Sequence, residues 1–185
     1  MTLTTGLMSS NRDDWPTPLA LFNELDREFN FTLDVCASAD NHKVARYFDK
    51  ETDGLRQDWT KDICFMNPPY GRTIGQWVKK ASDSARDGAI VVGLLPARTE
   101  TNWFKYCQTA TELRFIMGRV TFEGAESSAP FPSVIVVWGT PRVPVVKWVN
   151  LPQKITIEDP PEKNGIVSVG YRSKKGNTNG GITKP

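Results

Sequence analysis

Two consecutive prolines stand between an asparagine and a tyrosine in the stretch Asn67–Tyr70, directly after the apolar run Ile63–Met66. Proline fixes its own φ and keeps its predecessor out of the helical region, so Asn67 and Pro68 are both expected to be extended. The amide oxygen of Asn67 and the carbonyl of Pro68 then offer two acceptors at a fixed separation, beside the ring of Tyr70. A planar exocyclic amine such as adenine N6 has two N–H groups to match them and a π-face that can stack on the tyrosine.

The chemistry that this turn favours is transfer of an activated alkyl group to such an amine. The amine is a poor nucleophile because its lone pair is delocalised into the ring, and two acceptors that draw its hydrogens out of plane would stabilise the charge that develops during attack. The Asn67 amide is a poor general base, so the proton must leave to solvent and the electrophile must be strongly activated. A sulfonium methyl group meets that need, with the reactive chemistry carried by the cofactor. The alternative is a strand-terminating turn with a packed Tyr70, but the position between a strand and a capped helix favours catalysis.

The flanking sequence predicts alternating helices and strands. Thr17 is expected to be the N-cap and Pro18 the first residue of a helix, and Thr73 and Gln76 have capping-box spacing for a helix that ends near Gly88. The predicted strands are the ranges 31–37, 62–67, 89–96, 112–122 and 133–139, and a further helix is predicted over 99–110. Uninterrupted apolar strands between amphipathic helices favour the α/β class, with a mostly parallel sheet covered on both faces.

Length and composition predict one domain without metal or disulfides. The chain has 185 residues, a formal net charge of +2, three cysteines without paired metal-ligand spacing and a single histidine. Its longest apolar run, Ala89–Pro96, is too short to cross a bilayer, and no signal pattern opens the sequence, so a cytoplasmic protein is expected. The predicted organisation is a flexible N-terminus over 1–13, a catalytic domain over 14–150, and a basic, Pro/Gly-rich and partly disordered extension over 151–185.

Several motifs appear in an order that resembles the phage-type, Dam-like DNA N6-adenine methyltransferases, a family of S-adenosylmethionine-dependent amino-methyltransferases. The motifs are DDWPTP, LDVCAS, DGLRQDW, MNPPYG, LLPARTETNWF and GRVTF followed by APFPSVIVVW, which together span about Asp14 to Trp138. An ordered series of motifs is much more specific than the NPPY turn alone. The resemblance implies a Rossmann-like methyltransferase fold, here expected with a compressed first half, double-stranded DNA as the partner, and the host cytoplasm as the location if a phage encodes the chain.

The resemblance also implies roles for individual residues. The catalytic loop would be Asn67, Pro68, Pro69 and Tyr70, with the target base flipped out of the duplex to reach it. The cofactor-binding residues would be Trp15, Thr17, Pro18, Asp34, Cys36, Ala37, Ser38, Asp58 and Trp59. Arginines that follow predicted strands or the proline turn are expected to contact DNA, namely Arg72, Arg98 and Arg119.

Two departures from the family pattern concern the cofactor side. The first-strand turn Asp34–Asp40 contains no glycine, so Ala37 and Ser38 must accommodate a cofactor that approaches the backbone. The interval from Asp34 to Asn67 is also short for two strand–helix units, so either a helix is missing or the middle strands are very short.

Other functions remain open at this point. An RNA or protein-glutamine amino-methyltransferase would use the same turn, and a non-enzymatic nucleic-acid-binding module could keep the fold. Target recognition is open as well, because the range 123–132, the segment after Tyr70, the C-terminal extension or a dimer partner could each read the DNA.

Overall fold

The computed structural model describes residues 15–152 of the chain. The predicted flexible N-terminus and nearly all of the predicted basic extension lie outside these residues. The helices and strands are α1 (Leu19–Phe29), β1 (Leu33–Asp34), a 3₁₀ helix (Gly54–Arg56), β2 (Ile63–Met66), α2 (Ile74–Arg86), β3 (Ile90–Pro96), a second 3₁₀ helix (Asn102–Thr109), β4 (Glu112–Met117), β5 (Ser133–Trp138) and β6 (Val145–Asn150). Within the described part of the chain, no helix has the length and apolar character needed to span a membrane.

The strands form one mixed sheet in the order β1-β2-β3-β5-β4-β6. β1, β2 and β3 pair in parallel, β5 runs antiparallel to both β3 and β4, and β6 is parallel to β4. Of the six strands that the described residues form, five therefore point the same way and β5 is reversed, which confirms the predicted mostly parallel α/β sheet. One consequence matters for the site: the carboxyl ends of β1, β2, β3 and β4 all lie at the same edge of the sheet.

Helices cover both faces of the sheet, as predicted. Phe65 of β2 packs against Phe22 of α1, with ring centroids 5.1 Å apart. Phe65 pairs with Val92 of β3, which pairs in turn with Val137 of β5, so the side chains of Phe65 and Val137 lie on the same face of the sheet. The next residue, Trp138, points to the opposite face because successive side chains of a strand alternate. There its indole N–H donates to the carbonyl of Tyr106 in the second 3₁₀ helix, at 3.2 Å.

The first half of the domain is compressed, as the spacing of the motifs implies. Residues 35–62 contain no α-helix, one short 3₁₀ helix, and a single parallel bridge between Asp34 and Tyr47 where a longer strand was possible. The chain can pack this tightly because Gly54 lies against the backbone of Val35. A Cβ at position 54 would overlap the Val35 carbonyl oxygen and approach the Trp77 ring within 3.2 Å.

Two details of the helices differ from the sequence prediction. The N-cap of α1 is Pro18 and not Thr17, because the Thr17 hydroxyl is turned towards Asn67 and accepts a hydrogen bond from it. The range 102–109 is a 3₁₀ helix, although an α-helix was predicted over 99–110.

The strands also differ in two places. β4 ends at Met117 and does not continue to 122, because Gly118 turns the chain with φ of 86°. The sequence prediction missed β6, which lies at the edge of the sheet beside β4. Its sequence, VVKWVN, is largely apolar, yet most of its side chains are exposed.

Candidate active site

Four parallel strands bring candidate residues to one edge of the sheet. Asp34 ends β1, Asn67 follows β2, Arg98 follows β3 and Arg119 follows β4. In α/β sheets this carboxyl edge is where ligands bind. The two residues expected at a shared site from the sequence, Asp34 and Asn67, do line one cavity.

The side-chain amide of Asn67 is held in a single orientation. Its Nδ2 donates to the carbonyl oxygen of Trp15 at 2.6 Å and to the hydroxyl of Thr17 at 2.8 Å. A carbonyl can only accept, so the NH₂ group must face Trp15 and the amide cannot be reversed. The Oδ1 atom is buried and has no hydrogen-bond partner among the described residues. A buried acceptor without a partner costs free energy. Such an unpaired acceptor is expected where a substrate supplies the missing donor.

The cavity beside Asn67 has a volume of about 20 Å³. Its lining residues are Pro16, Thr17, Asp34, Cys36, Asn41, Lys43, Phe65 and Asn67. Three of the residues predicted to bind the cofactor, Thr17, Asp34 and Cys36, are therefore brought together with the predicted catalytic asparagine.

Asp34 orders the turn that follows β1. Its side chain is almost fully buried and accepts hydrogen bonds from the backbone N–H groups of Lys43, at 3.1 Å, and Cys36, at 3.4 Å. Burial raises the pKa of this carboxyl to about 6, although the two N–H groups oppose the shift. A turn without glycine is thus fixed by a carboxylate that bonds the backbone on both sides of it.

Tyr70 is buried under two aromatic rings. Its hydroxyl donates to the carbonyl of Leu94 at 3.0 Å, and burial raises its pKa well above the usual range. The ring meets Phe122 edge-on at 6.2 Å and Phe131 at 5.6 Å. Trp15 contacts the same two phenylalanines at 5.2 and 5.4 Å. Access of a base to the tyrosine ring therefore depends on residues 118–132, which we call the covering segment.

The covering segment is attached to the lining of the cavity. The backbone N–H of Glu123 donates to the carbonyl of Pro16 at 2.9 Å, and the Glu123 carboxylate pairs with the Lys43 ammonium at 2.8 Å. Pro16 and Lys43 both line the cavity beside Asn67. The two proposed binding regions, the cavity and the surface of Tyr70, are thus in direct contact through Glu123.

Comparison with known proteins decides the family. A family model described as "DNA N-6-adenine-methyltransferase (Dam)" matches residues 4–157. The chain belongs to the Dam family. Among its relatives, a DNA N-6-adenine-methyltransferase of Haemophilus phage HP1 (strain HP1c1) is 34% identical over 122 residues, which cover 64% of this chain and 70% of the relative. One of Escherichia phage T1 is 33% identical over 113 residues, which cover 60% of this chain and 47% of the relative.

Four further residues of this Dam-family chain were predicted to bind the cofactor: Ala37, Ser38, Trp15 and Pro18. The N–H of Ala37 donates to the carbonyl of Phe48 at 2.9 Å, and that of Ser38 to the side chain of Asn41 at 2.7 Å. The backbone carbonyl of Trp15 accepts a hydrogen bond from the Asn67 amide. Pro18 lines a separate apolar cavity beside the start of α1.

Asp58 and Trp59 are not brought to the cavity. Trp59 is fully buried, donates its indole N–H to the carbonyl of Gly54 at 2.9 Å and lies 6.2 Å from Trp77 in a near-parallel stack. Asp58 is exposed, and its carboxylate accepts the N–H of Thr60 at 2.9 Å. The reason is topological: both residues precede β2, whereas Asn67 follows it. The cofactor contact expected of these two residues stays a prediction.

The Dam-family chain carries its three predicted DNA-binding arginines on the surface. Arg72, Arg98 and Arg119 are all exposed and follow β2, β3 and β4 at the carboxyl edge. The Arg98 guanidinium lies 5.9 Å from the ring centroid of Phe131 in the covering segment. Residues 15–152 contain no group of histidine, cysteine and acidic side chains suited to a metal ion.

The sequence prediction missed the residues that complete the site. Asn41, Lys43 and Phe65 line the cavity, and Phe122 and Phe131 cover Tyr70. The two phenylalanines lie within the GRVTF and APFP motifs, so the motifs marked them without revealing their contact. No signal in the sequence marked Lys43, whose place is set by the loop that Asp34 holds.

Proposed function

We propose that this chain transfers a methyl group from S-adenosylmethionine to the N6 amine of adenine in double-stranded DNA. The observation that carries the proposal is the Asn67 amide: two hydrogen bonds hold it, and its buried oxygen has no partner among the described residues. The names of the family and of the phage relatives favour DNA adenine over the RNA and protein-glutamine alternatives.

Asn67 and Pro68 would act on the amine itself. The Oδ1 atom of Asn67 accepts one N–H of the amine and the carbonyl of Pro68 accepts the other, so both stabilise the charge that grows on nitrogen as it attacks. Because Trp15 and Thr17 fix the amide beforehand, little reorganisation is needed during the reaction. The amide does not take the proton, which passes to solvent after transfer.

The charges beside Asn67 fit a sulfonium cofactor. S-adenosylmethionine supplies an electrophilic methyl group on a positively charged sulfur. Asp34 places a buried carboxyl in the cavity wall, and its ionised form would attract the positive groups of the cofactor. Thr17 and Cys36 would contribute further parts of the wall that Asp34 and Asn67 line.

The Tyr70 ring would stack on the flipped base. In the closed arrangement Phe122 and Phe131 occupy positions against that ring, so the covering segment must move before a base can stack. Aromatic contact of the kind that these phenylalanines make can be exchanged for stacking with a base at small cost.

The three exposed arginines would hold the phosphate backbone of the duplex. Arg72, Arg98 and Arg119 share the edge at which Asn67 lies, so phosphates bound there would place the duplex over the catalytic turn. Each phosphate contact removed by an Arg→Ala change should lower the dependence of DNA affinity on salt by about one counterion. Fluorescence anisotropy with labelled duplex at several salt concentrations measures this slope.

Methyl transfer with a labelled cofactor tests the proposed function. Purified protein is incubated with labelled S-adenosylmethionine and, in parallel, unmodified duplex DNA, RNA and a protein lysate, and labelled nucleosides are identified. Label in DNA as N6-methyladenine, lost in Asn67→Ala, is the expected result. Label in RNA or protein alone would transfer the function to that substrate. If the protein binds no cofactor at all, the non-enzymatic module becomes the better account.

A further inference from the structure

The cavity beside Asn67 cannot enclose the cofactor that the proposed function requires. Its volume of about 20 Å³ is of the order needed for one water molecule. The cofactor would therefore have to extend beyond the cavity or displace part of its wall. Lys43 is the long, flexible side chain in that wall, and only 11% of it is exposed, so its stem is buried while its ammonium reaches Glu123.

The wall carries one charge of each sign. Asp34 is its acidic residue and Lys43 its basic one, and the remaining lining side chains are uncharged. An amino-acid head group has the same two charges, an ammonium and a carboxylate. The negative group would meet Lys43, since the Asp34 carboxylate would repel it.

Resting on the proposed function, we propose that Lys43 is a positioning residue that binds the α-carboxylate of the methionine part of S-adenosylmethionine, and that this carboxylate displaces Glu123 from the lysine. One carboxylate replaces another, so the ammonium is never left unpaired. The exchange is inexpensive because Glu123 is 41% exposed and can be hydrated after release.

The displaced residue belongs to the covering segment. Glu123 is the chain neighbour of Phe122, whose ring contacts Tyr70 and Trp15. After the exchange, the Glu123 backbone keeps its bond to Pro16 but the side-chain ion pair is gone. Cofactor binding therefore loosens the segment that covers Tyr70, and the cofactor would open the surface on which the base stacks.

Binding of two ligands to four proteins tests the carboxylate contact. Calorimetry compares S-adenosylmethionine with decarboxylated S-adenosylmethionine, which lacks only the α-carboxylate. In Lys43→Met, affinity for the complete cofactor should fall about tenfold or more, as for other hydrogen bonds between charged groups. Affinity for the decarboxylated ligand should not change, which also shows that the variant is folded. Lys61→Met, an exposed lysine that precedes β2, is the matched control and should bind both ligands like the wild type.

The Glu123→Gln variant distinguishes the proposed competition for Lys43 from an ion pair that only stabilises the fold. Removing the competing carboxylate should tighten binding of the complete cofactor by about two- to fivefold and leave the decarboxylated ligand unaffected. If the ion pair only stabilised the fold, both variants would weaken binding. Equal affinities of the wild type and Lys43→Met for the complete cofactor would overturn the inference alone. A wild-type protein that binds neither ligand would overturn the proposed function itself. If Lys43→Met binds neither ligand, the Glu123→Gln variant decides: tighter binding of the complete cofactor supports the inference, and unchanged or weaker binding overturns it.

Hydrogen exchange tests the second step. The N–H groups of Ala125 and Ala129 are hydrogen-bonded within the covering segment, to the carbonyls of Phe122 and Val120. Peptides from the covering segment should exchange faster with S-adenosylmethionine bound than with the decarboxylated ligand bound. Equal exchange with the two ligands would show that the carboxylate does not release the segment.

Discussion

Replacing Asn67 by aspartate should impair methyl transfer although aspartate has nearly the same shape and keeps the Oδ1 acceptor. The Nδ2 atom of Asn67 donates to the Trp15 carbonyl at 2.6 Å and to the Thr17 hydroxyl at 2.8 Å. A carboxylate oxygen in its place cannot donate and would face the carbonyl oxygen at close range. The new side chain must turn away or take up a proton, and in either case the geometry of the acceptor is lost.

The size of the effect follows from the two hydrogen bonds. Each neutral bond contributes about 1 kcal/mol, so losing both removes about 2 kcal/mol of orienting free energy, which corresponds to a roughly 30-fold lower rate. Thr17→Val removes only the hydroxyl and should lower the rate about fivefold, whereas Thr17→Ser keeps the hydroxyl and should stay near the wild type. Asn67→Ala, which removes the acceptor itself, should cost about 10²- to 10³-fold.

Single-turnover methylation of duplex DNA at saturating cofactor measures these rates. Thermal melting of each variant shows whether a loss reflects unfolding. The reasoning would be refuted if Asn67→Asp reacted as fast as the wild type, because orientation by donation to Trp15 and Thr17 would then be irrelevant. Equal rates for Thr17→Val and Thr17→Ser would show that the Thr17 hydroxyl does not orient the Asn67 amide, and only the Trp15 carbonyl would remain in that role.

Three further predictions concern charge and packing. Affinity for S-adenosylmethionine should rise as the pH rises through about 6, because the raised pKa of Asp34 leaves the carboxyl protonated below that pH, and calorimetry on Asp34→Asn should show no such rise. Gly54→Ala should lower the free energy of unfolding in urea by about 3 kcal/mol, since its Cβ overlaps the Val35 carbonyl; Gly124→Ala, with open space around it, should cost about 1 kcal/mol and would refute the packing argument if it cost as much. Arg114→Met should cost about 3 kcal/mol in the same assay, because the buried guanidinium binds both oxygens of Glu28 at 2.6 Å, and an unchanged urea midpoint would contradict this.

Much of the fold could be predicted from local pattern. The apolar runs of β2, β3 and β5 are long enough and uninterrupted enough to mark buried strands, and the helical spacing of apolar residues marked α1 and α2. β6 was missed although its sequence, VVKWVN, is largely apolar; as an edge strand it leaves most of these side chains exposed. The range 102–109 kept a helical pattern but adopts a 3₁₀ helix, a distinction that side-chain periodicity over eight residues does not resolve.

The candidate site was predictable in its motif and not in its contacts. The backbone geometry of Asn67–Tyr70 can be predicted from the sequence, because proline restricts the backbone wherever it occurs. Thr17 was predicted to cap α1 and to lie near the cofactor, and only its position relative to Asn67 showed that the hydroxyl serves the amide. The burial of Trp59 was not predictable, because a motif gives the order of residues and not the face on which each lies.

The sequence by itself determined the family, the α/β class and the proline turn that we propose carries the chemistry, since these depend on local stereochemistry and on the order of motifs. The tertiary structure decided which groups meet. Asn67 is oriented by residues about fifty positions earlier, and Lys43 pairs with a glutamate eighty positions later. Such contacts depend on strand order and on the packing of the compressed first half, and neither is encoded in a short stretch of sequence. For that reason, two features became visible only in the folded chain: the Asn67 Oδ1 atom, which has no hydrogen-bond partner within residues 15–152, and the covered Tyr70.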